Sequence, residues 1–218
     1  AVLGNLKFDI EAPPAQLAAG RALRARIGAR SVLLAASTRE GEEAQILEAF
    51  AAEPRGDLLL VIVPRHPQRF DAVAQMIGKQ RLKYQRRSED CTVAADAVVL
   101  LGDSMGEMFA YYAACDVAFI GGSLLALGGQ NLIEACAVGA PVLVGPHTFN
   151  FAQATDQAIA AGAARRIGDA GELLQEAEKL LGDAAARRAM GQAGRDFAAR
   201  HRGATEKTLA LIARYLQD

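Results

Sequence analysis

The chain has 218 residues, of which 51% are hydrophobic and 22% charged, and its formal net charge is −1. This composition supports a sizeable core, excludes a mainly disordered chain, and gives no support to a nucleic-acid partner. The 3 cysteines are far apart without a CxxC pair, and only 3 histidines are present. These counts argue against a disulfide scaffold or metal cluster and favour a reducing compartment. No apolar run reaches about eighteen residues, so no membrane span is predicted.

Short apolar runs alternate with longer amphipathic segments along the chain. The predicted strands are, in chain order, 31–36, 58–63, 81–84, 97–101, 117–120 and 141–144. The predicted helices are 40–52, 67–77, 106–115, 132–138, 151–161, 171–181 and 183–215, the last broken near Arg202. Because the strands lack polar alternation, we expect helices on both of their faces. The pattern predicts an α/β fold, a Rossmann-like doubly wound parallel sheet.

The first residues of the chain differ from the rest in composition. Residues 1–14 combine a strand-like LKF run with the pair Pro13 and Pro14. We interpret 1–14 as the end of an interdomain linker and 15–218 as one domain.

Polar and glycine-rich residues follow the predicted strands, at the edge where doubly wound sheets bind ligands. The candidate site residues are Ser37, Thr38, Arg39, Arg65, His66, Met105, Gly106, Glu107, Gly121, Gly122, Ser123, Asn131 and Glu134. No GxGxxG, GxxxxGK[ST] or GxSxG motif is present, which argues against a dinucleotide dehydrogenase, an NTPase and an α/β-hydrolase.

Several of these candidates have a purely structural alternative. Two Ser-x-x-Glu segments, 37–40 and 104–107, match the capping box, so helix capping explains them equally well. The glycine pair at 121–122 either permits a tight turn or offers backbone N–H groups to a phosphate. Glu134 shares a helix face with Asn131, where its carboxylate either accepts two hydrogen bonds from a ribose or only complements the helix dipole.

Four segments identify a resemblance to a known family. They are AASTREGEE at 35–43, LVIVPRHPQRF at 60–70, LLGDSMGEM at 100–108 and DVAFIGGSLLALGGQNLIEACAVGAPVLVGPHTFNF at 116–151. They resemble the C-terminal half of the 3-deoxy-D-manno-octulosonic acid (Kdo) transferases, and the similarity begins at GNLKFD. This family has a GT-B fold, in which two Rossmann-like domains face each other across a cleft. The resemblance implies that 15–218 is the donor domain and that the N-terminal acceptor domain is absent.

The resemblance also assigns roles to the candidate residues. Arg65 and His66 would face the anionic groups of the donor CMP-Kdo, and residues 105–107 would line the cytidine pocket. Residues 121–123 would approach the phosphate and Kdo, while Asn131 and Glu134 would hold phosphate or ribose.

Two positions depart from the pattern of many relatives, which have histidine where this chain has Arg39 and Gln130. An arginine preserves an anion contact. A glutamine does not titrate near neutral pH, so no acid–base role is assigned to it.

For the whole enzyme the resemblance implies inverting transfer of Kdo from CMP-Kdo to a lipid A precursor in lipopolysaccharide biosynthesis. The catalytic base is expected in the acceptor domain, so this chain alone is expected to be inactive and to hold no catalytic residue. The expected partners are CMP-Kdo or CMP and, through the acceptor domain, the lipid acceptor, without metal or other cofactor. The expected location is the cytoplasmic face of the bacterial inner membrane, with peripheral membrane contact.

Two alternative functions stay open. One is another GT-B transferase or epimerase that uses a UDP-sugar, and the other is a non-catalytic nucleotide-binding module.

Overall fold

The computed structural model describes residues 9–53 and 55–200, together with Leu209 and Ile212. The strands are β1 (Ser31–Thr38), β2 (Leu58–Pro64), β3 (Tyr84–Arg86), β4 (Val99–Leu101), β5 (Val117–Ile120), β6 (Val142–Val144) and β7 (Ala164–Arg166). The helices are α1 (Pro14–Ile27), α2 (Glu42–Ala51), α3 (Phe70–Lys79), α4 (Met108–Ala114), α5 (Ile133–Val138), α6 (Ala152–Ala160), α7 (Ala170–Gly182) and α8 (Ala184–Arg200). The LKF run and the predicted helix break near Arg202 lie outside the described residues.

All seven strands form one parallel sheet in the order β3-β4-β2-β1-β5-β6-β7. On one side of β1, β2 is its neighbour and β4 lies between β2 and the edge strand β3, whereas β6 and β7 follow β5 outward on the other side. The strand order therefore reverses between β1 and β5, which pair from Leu33 to Ala36. This confirms the predicted α/β fold with a doubly wound parallel sheet, and the reversal marks the crevice where such sheets bind ligands.

The sheet separates two hydrophobic cores. Along β1, Val32 and Leu34 point into one core, and Leu33 and Ala35 point into the other. Helices α1, α4, α5 and α6 cover the first face, whereas α2, α3 and α7 cover the second. Residues of α8 contribute to both cores. Burial on both faces explains why the strands are uninterrupted apolar runs.

Three elements differ from the prediction. Helix α1 was not predicted, yet it buries Gly20, Leu23 and Ile27 at helical spacing on one face. Strand β7 was also missed, because it is a polar edge strand with no apolar run. Strand β3 starts later than predicted because Arg81, with φ of 58°, belongs to the turn before it.

The capping interpretation of both Ser-x-x-Glu segments is wrong. Helix α2 begins at Glu42 with Gly41 as its N-cap and without a side-chain cap, and Ser37 lies within β1. Helix α4 follows Glu107 without a side-chain cap. Ser104 instead donates its hydroxyl to the Glu107 carboxylate at 2.6 Å.

None of the helices in the described residues combines the length and the apolar character that a membrane span requires.

Candidate functional site

A cavity of about 270 Å³ opens at the C-terminal edge of the sheet. It is lined by Ser37, Val63, Pro64, Arg65, Ser104, Met105, Gly106, Glu107, Met108, Tyr111, Tyr112, Gln130, Asn131 and Glu134. The ends of β1 and β2, the loop after β4 and the start of α5 therefore meet at this place. This is the edge at which the candidate residues were expected to cluster.

One wall of the cavity is the loop between β4 and α4. The Glu107 carboxylate accepts hydrogen bonds from Arg87 at 3.1 Å and from the Ser104 hydroxyl at 2.6 Å. The same hydroxyl lies 2.7 Å from that of Tyr111, whose pKa is raised by burial. Met105, at the tip of the loop, is 57% exposed. The wall therefore presents a fixed carboxylate beside an apolar side chain.

The opposite wall is the segment that leads into α5. The Asn131 side chain accepts from the Ile133 N–H at 3.0 Å and donates to the Glu134 carboxylate at 3.3 Å. Burial raises the pKa of Glu134, although the hydrogen bond from Asn131 and the positive charge of Arg65 act in the opposite direction. Glu134 therefore offers the cavity a half-buried carboxylate near the positive charge of Arg65.

The predicted residues 121–123 are buried at the crevice between β1 and β5 and do not line the cavity. The Gly122 and Ser123 N–H groups donate to the Glu42 carboxylate at 2.6 and 2.9 Å. The Ser123 hydroxyl donates to the Ile120 carbonyl at 2.5 Å and accepts from the Gly145 N–H at 2.8 Å. A Cβ on Gly121 would stand 2.6 Å from the Ser37 carbonyl oxygen, so glycine is required for this close approach.

Three further predicted residues lie outside the cavity lining. Thr38 is buried, and its hydroxyl donates to the Glu43 carboxylate at 3.3 Å. Arg39 donates its backbone N–H to Glu42 at 2.9 Å. His66 is exposed and precedes a 3₁₀ turn at Pro67–Arg69.

Sequence reasoning missed several residues of the site. Tyr111 and Tyr112 contribute to the lining, but helical spacing alone made them indistinguishable from core residues. Ser104 was interpreted only through the capping motif, and Gln130 only as a departure from relatives. Glu42 was seen as one acidic residue in a polar loop, and no sequence signal distinguished it from Glu40 and Glu43.

No group of three or more potential metal ligands occurs in the described part of the chain.

Comparisons with known proteins agree with this architecture. Residues 38–197 match the family model for glycosyl transferases group 1. The chain is 51% identical to the Kdo transferase of Bordetella pertussis and 36% identical to that of Haemophilus influenzae. Each alignment covers 99% of this chain but 51% and 52% of the relatives, so the chain spans about half their length.

Among solved structures, the chain is similar to the C-terminal CMP-Kdo binding domain of WaaA from Acinetobacter baumannii. The TM-score is 0.79 and the identity 34%, over 84% of this chain and 97% of that domain. Anabaena HepE, solved with UDP and glucose, has a TM-score of 0.65 at 15% identity over 95% of this chain and 53% of its own. That likeness concerns the fold alone. The chain thus belongs to the group 1 glycosyl transferases and, within them, to the 3-deoxy-D-manno-octulosonic acid transferase family, where it corresponds to the C-terminal domain.

Proposed function

We propose that this chain binds CMP-Kdo in the cavity at the C-terminal edge of the sheet. Within the whole protein it would be the donor-binding domain of an enzyme that transfers Kdo to a lipid A precursor in lipopolysaccharide biosynthesis. The observation that carries this proposal is the 34% identity over 97% of the Acinetobacter domain, which is a CMP-Kdo binding domain. The cavity supports it, since apolar side chains and a few convergent polar groups are typical of ligand sites.

The cavity suggests how the nucleotide is held. The half-buried Glu134 carboxylate accepts hydrogen bonds from the ribose hydroxyls, and Asn131 keeps that carboxylate in place. Arg65 and His66 provide positive charge or hydrogen-bond donors for the anionic groups of the donor. Residues 105–107 surround the cytosine. Ser37 closes the side of β1. The predicted contacts of residues 121–123 with the phosphate and Kdo are not proposed, because the N–H groups of Gly122 and Ser123 are donated to Glu42. Thr38 is buried outside the cavity, and Arg39 does not line it.

The proposed chemistry of the whole enzyme is an inverting displacement. A carboxylate base of the acceptor domain takes the proton of the acceptor hydroxyl, and the oxygen forms a bond to the anomeric carbon of Kdo. The bond between that carbon and the phosphate oxygen breaks, and CMP leaves with its electron pair. Preorganised donors and positive charge in this chain stabilise the negative charge that develops on the phosphate. The whole enzyme would work at the cytoplasmic face of the inner membrane, where its lipid acceptor lies.

Calorimetric titration of the chain with CMP, CMP-Kdo and UMP tests donor binding. We expect CMP to bind more tightly than UMP. Glu134→Ala should weaken CMP binding by about 1.5–3 kcal/mol, or roughly tenfold to a hundredfold, because a hydrogen bond to a charged group is lost. Glu48→Ala on the exposed face of α2 is the control and should leave the affinity unchanged.

The same titrations identify the outcomes that contradict the proposal. Equal or tighter binding of UMP would favour a UDP-sugar enzyme, and an unchanged CMP affinity in Glu134→Ala would remove Glu134 from the site.

A further inference from the structure

A completely buried carboxylate holds two loops together beneath the candidate donor site. The Glu42 side chain has no exposed surface. Its Oε1 accepts the N–H groups of Ser123 and Leu124, both at 2.9 Å. Its Oε2 accepts those of Arg39 at 2.9 Å and Gly122 at 2.6 Å. We call the carboxylate with these four N–H groups the Glu42 clamp.

The Glu42 clamp requires an acceptor at both oxygen positions. Two carboxylate oxygens offer about four lone-pair sites, and backbone donors fill all four. A glutamine in the same place would turn an NH₂ group toward N–H donors, and these buried donors would lose their partner. Glu42 is also the first residue of α2, where the positive end of the helix dipole favours negative charge.

The clamped loops continue directly into the β1 side of the cavity and into the wall that leads to α5. On the β1 side, Ser37 lines the cavity with a φ of 54°, two residues before the clamped Arg39 N–H. On the β5 side, the Gly129 N–H donates to the Gly122 carbonyl at 2.6 Å. The Gln130 N–H donates to the carbonyl of the preceding residue, Gly121, at 3.0 Å.

Gln130 lines the cavity and precedes Asn131 and Glu134 in the same wall. The position of this wall relative to Ser37 is therefore set by a series of hydrogen bonds of 2.6 to 3.0 Å that converges on one carboxylate. Glu42 itself does not line the cavity.

We propose that Glu42 is a positioning residue for donor binding. It acts without touching the nucleotide, by fixing the distance between the β1 side of the cavity and the wall that carries Asn131 and Glu134. The inference rests on the proposed function, because CMP affinity is its readout. The failure of this inference can be distinguished from the failure of the proposed function. If the wild-type chain does not bind CMP, the proposed function is overturned, whereas the inference is tested by comparing the CMP affinity of variants with that of the wild type.

The test compares the same substitution at two adjacent buried glutamates. Glu42→Gln removes the clamp charge while keeping the size of the side chain. Glu43→Gln is the matched control, since Glu43 is equally buried but is held by the side chains of Arg69, at 3.1 and 3.2 Å, and Thr38. CMP titrations are run at a temperature where circular dichroism shows each variant to be folded. We expect both variants to melt at a lower temperature than the wild type.

Only Glu42→Gln should raise the CMP dissociation constant by tenfold or more, with the control within threefold of the wild type. Amide resonances supply a second readout that a merely structural role would not move. In Glu42→Gln the amide protons of Gly122, Ser123 and Leu124 should shift upfield, because neutral acceptors make weaker hydrogen bonds than charged ones. The amides of Gln130 and Asn131 should shift with them, and none of these should move in Glu43→Gln.

An equal loss of affinity in both variants, or an unchanged CMP dissociation constant in a folded Glu42→Gln, would overturn the inference. Should Glu42→Gln fail to fold, Glu42→Asp is titrated instead, because it keeps the charge on a side chain one methylene shorter. A dissociation constant raised at least threefold in Glu42→Asp supports the positioning role, and an unchanged one overturns it.

Discussion

At the scale of single residues, a buried and a half-buried glutamate near the cavity have their charges compensated in different ways. Glu42 receives four backbone N–H groups, so its charge is compensated by the protein itself. Glu134 receives one side-chain hydrogen bond, from Asn131, and burial raises its pKa. A carboxylate that is removed from water without full compensation destabilises its own protein and is available to a ligand.

This difference predicts a pH-dependent stability contribution from Glu134. Its pKa lies near 4.5 in the unfolded chain and above that value in the folded one. Between these two pKa values the folded state binds more protons, so the free energy of unfolding falls as the pH rises through this window. Above the window the full destabilisation is present, and below it the contribution vanishes.

We therefore expect Glu134→Gln to be more stable than the wild type at neutral pH. The gap should close as the pH falls through the raised pKa of the folded state and be absent below the ordinary value of 4.5. Urea unfolding from pH 3.5 to 7.5 measures the gap, and Glu48→Gln on the exposed face of α2 serves as the control. A constant stability difference between Glu134→Gln and the wild type over this range would contradict the prediction.

At the scale of elements, helices α1 and α4 pack at the distance that a glycine permits. A Cβ on Gly20 would lie 2.6 Å from the Ala113 Cβ and 2.7 Å from the Ala110 carbonyl oxygen. The backbone of α1 therefore contacts α4 directly, which helps to fix the helix that carries Tyr111 and Tyr112 into the cavity. Helix α1 lacks acidic residues and has a mixed pattern, so its sequence did not identify it as a packed element.

Gly20→Ala should destabilise the chain even though alanine is the better helix former. Overpacking at this contact costs about 1–3 kcal/mol and the better helix propensity of alanine offsets roughly 1 kcal/mol, so the expected net loss is up to about 2 kcal/mol. Gly78→Ala in α3 is the matched control, since a Cβ there meets nothing within 4 Å. We expect that variant to gain about 0.5–1 kcal/mol. Chemical denaturation of both variants measures these changes, and a stabilised Gly20→Ala would contradict this packing.

At the scale of the whole molecule, the chain spans about half the length of its curated relatives and provides one side of the proposed cleft. We expect the chain alone to bind CMP-Kdo without transferring Kdo. Transfer needs a base within hydrogen-bond reach of the acceptor hydroxyl. Glu107 already accepts hydrogen bonds from Arg87 and Ser104, and Glu134 is assigned to the ribose in the proposed site. Without a second domain the acceptor is not positioned, and an effective molarity of roughly 10⁵ M or more is lost.

The measurement is Kdo transfer to a lipid A precursor from freshly prepared CMP-Kdo, with this chain alone and with an acceptor domain added. Product from the combined domains and none from the chain alone is the expected result. Steady product from the chain alone, above a blank without protein, would place the catalytic base within the 218 residues.

Much of this architecture was predictable from the order of amino acids. The apolar runs at 31–36, 58–63 and 117–120 correspond to β1, β2 and β5. A strand covered on both faces carries apolar side chains on both, so its sequence does not alternate between apolar and polar residues. The glycine-rich and polar loops after these strands indicated the edge at which the cavity lies. Local patterns failed where tertiary contacts decide, as for the polar edge strand β7 and for helix α1.

The sequence by itself therefore determined the fold class, the edge of the sheet that carries the site and the family to which the chain belongs. Only the tertiary structure decided which residues of those loops face a common cavity. Ser37 and Glu134 line it, whereas Thr38 and Ser123 are buried outside it, although all four occur in similar polar segments. The role of Glu42 was equally invisible, because its donors come from residues 80 to 82 positions away as well as from its own loop. Contacts between segments so distant in sequence exist only once the parallel sheet brings β1 and β5 side by side.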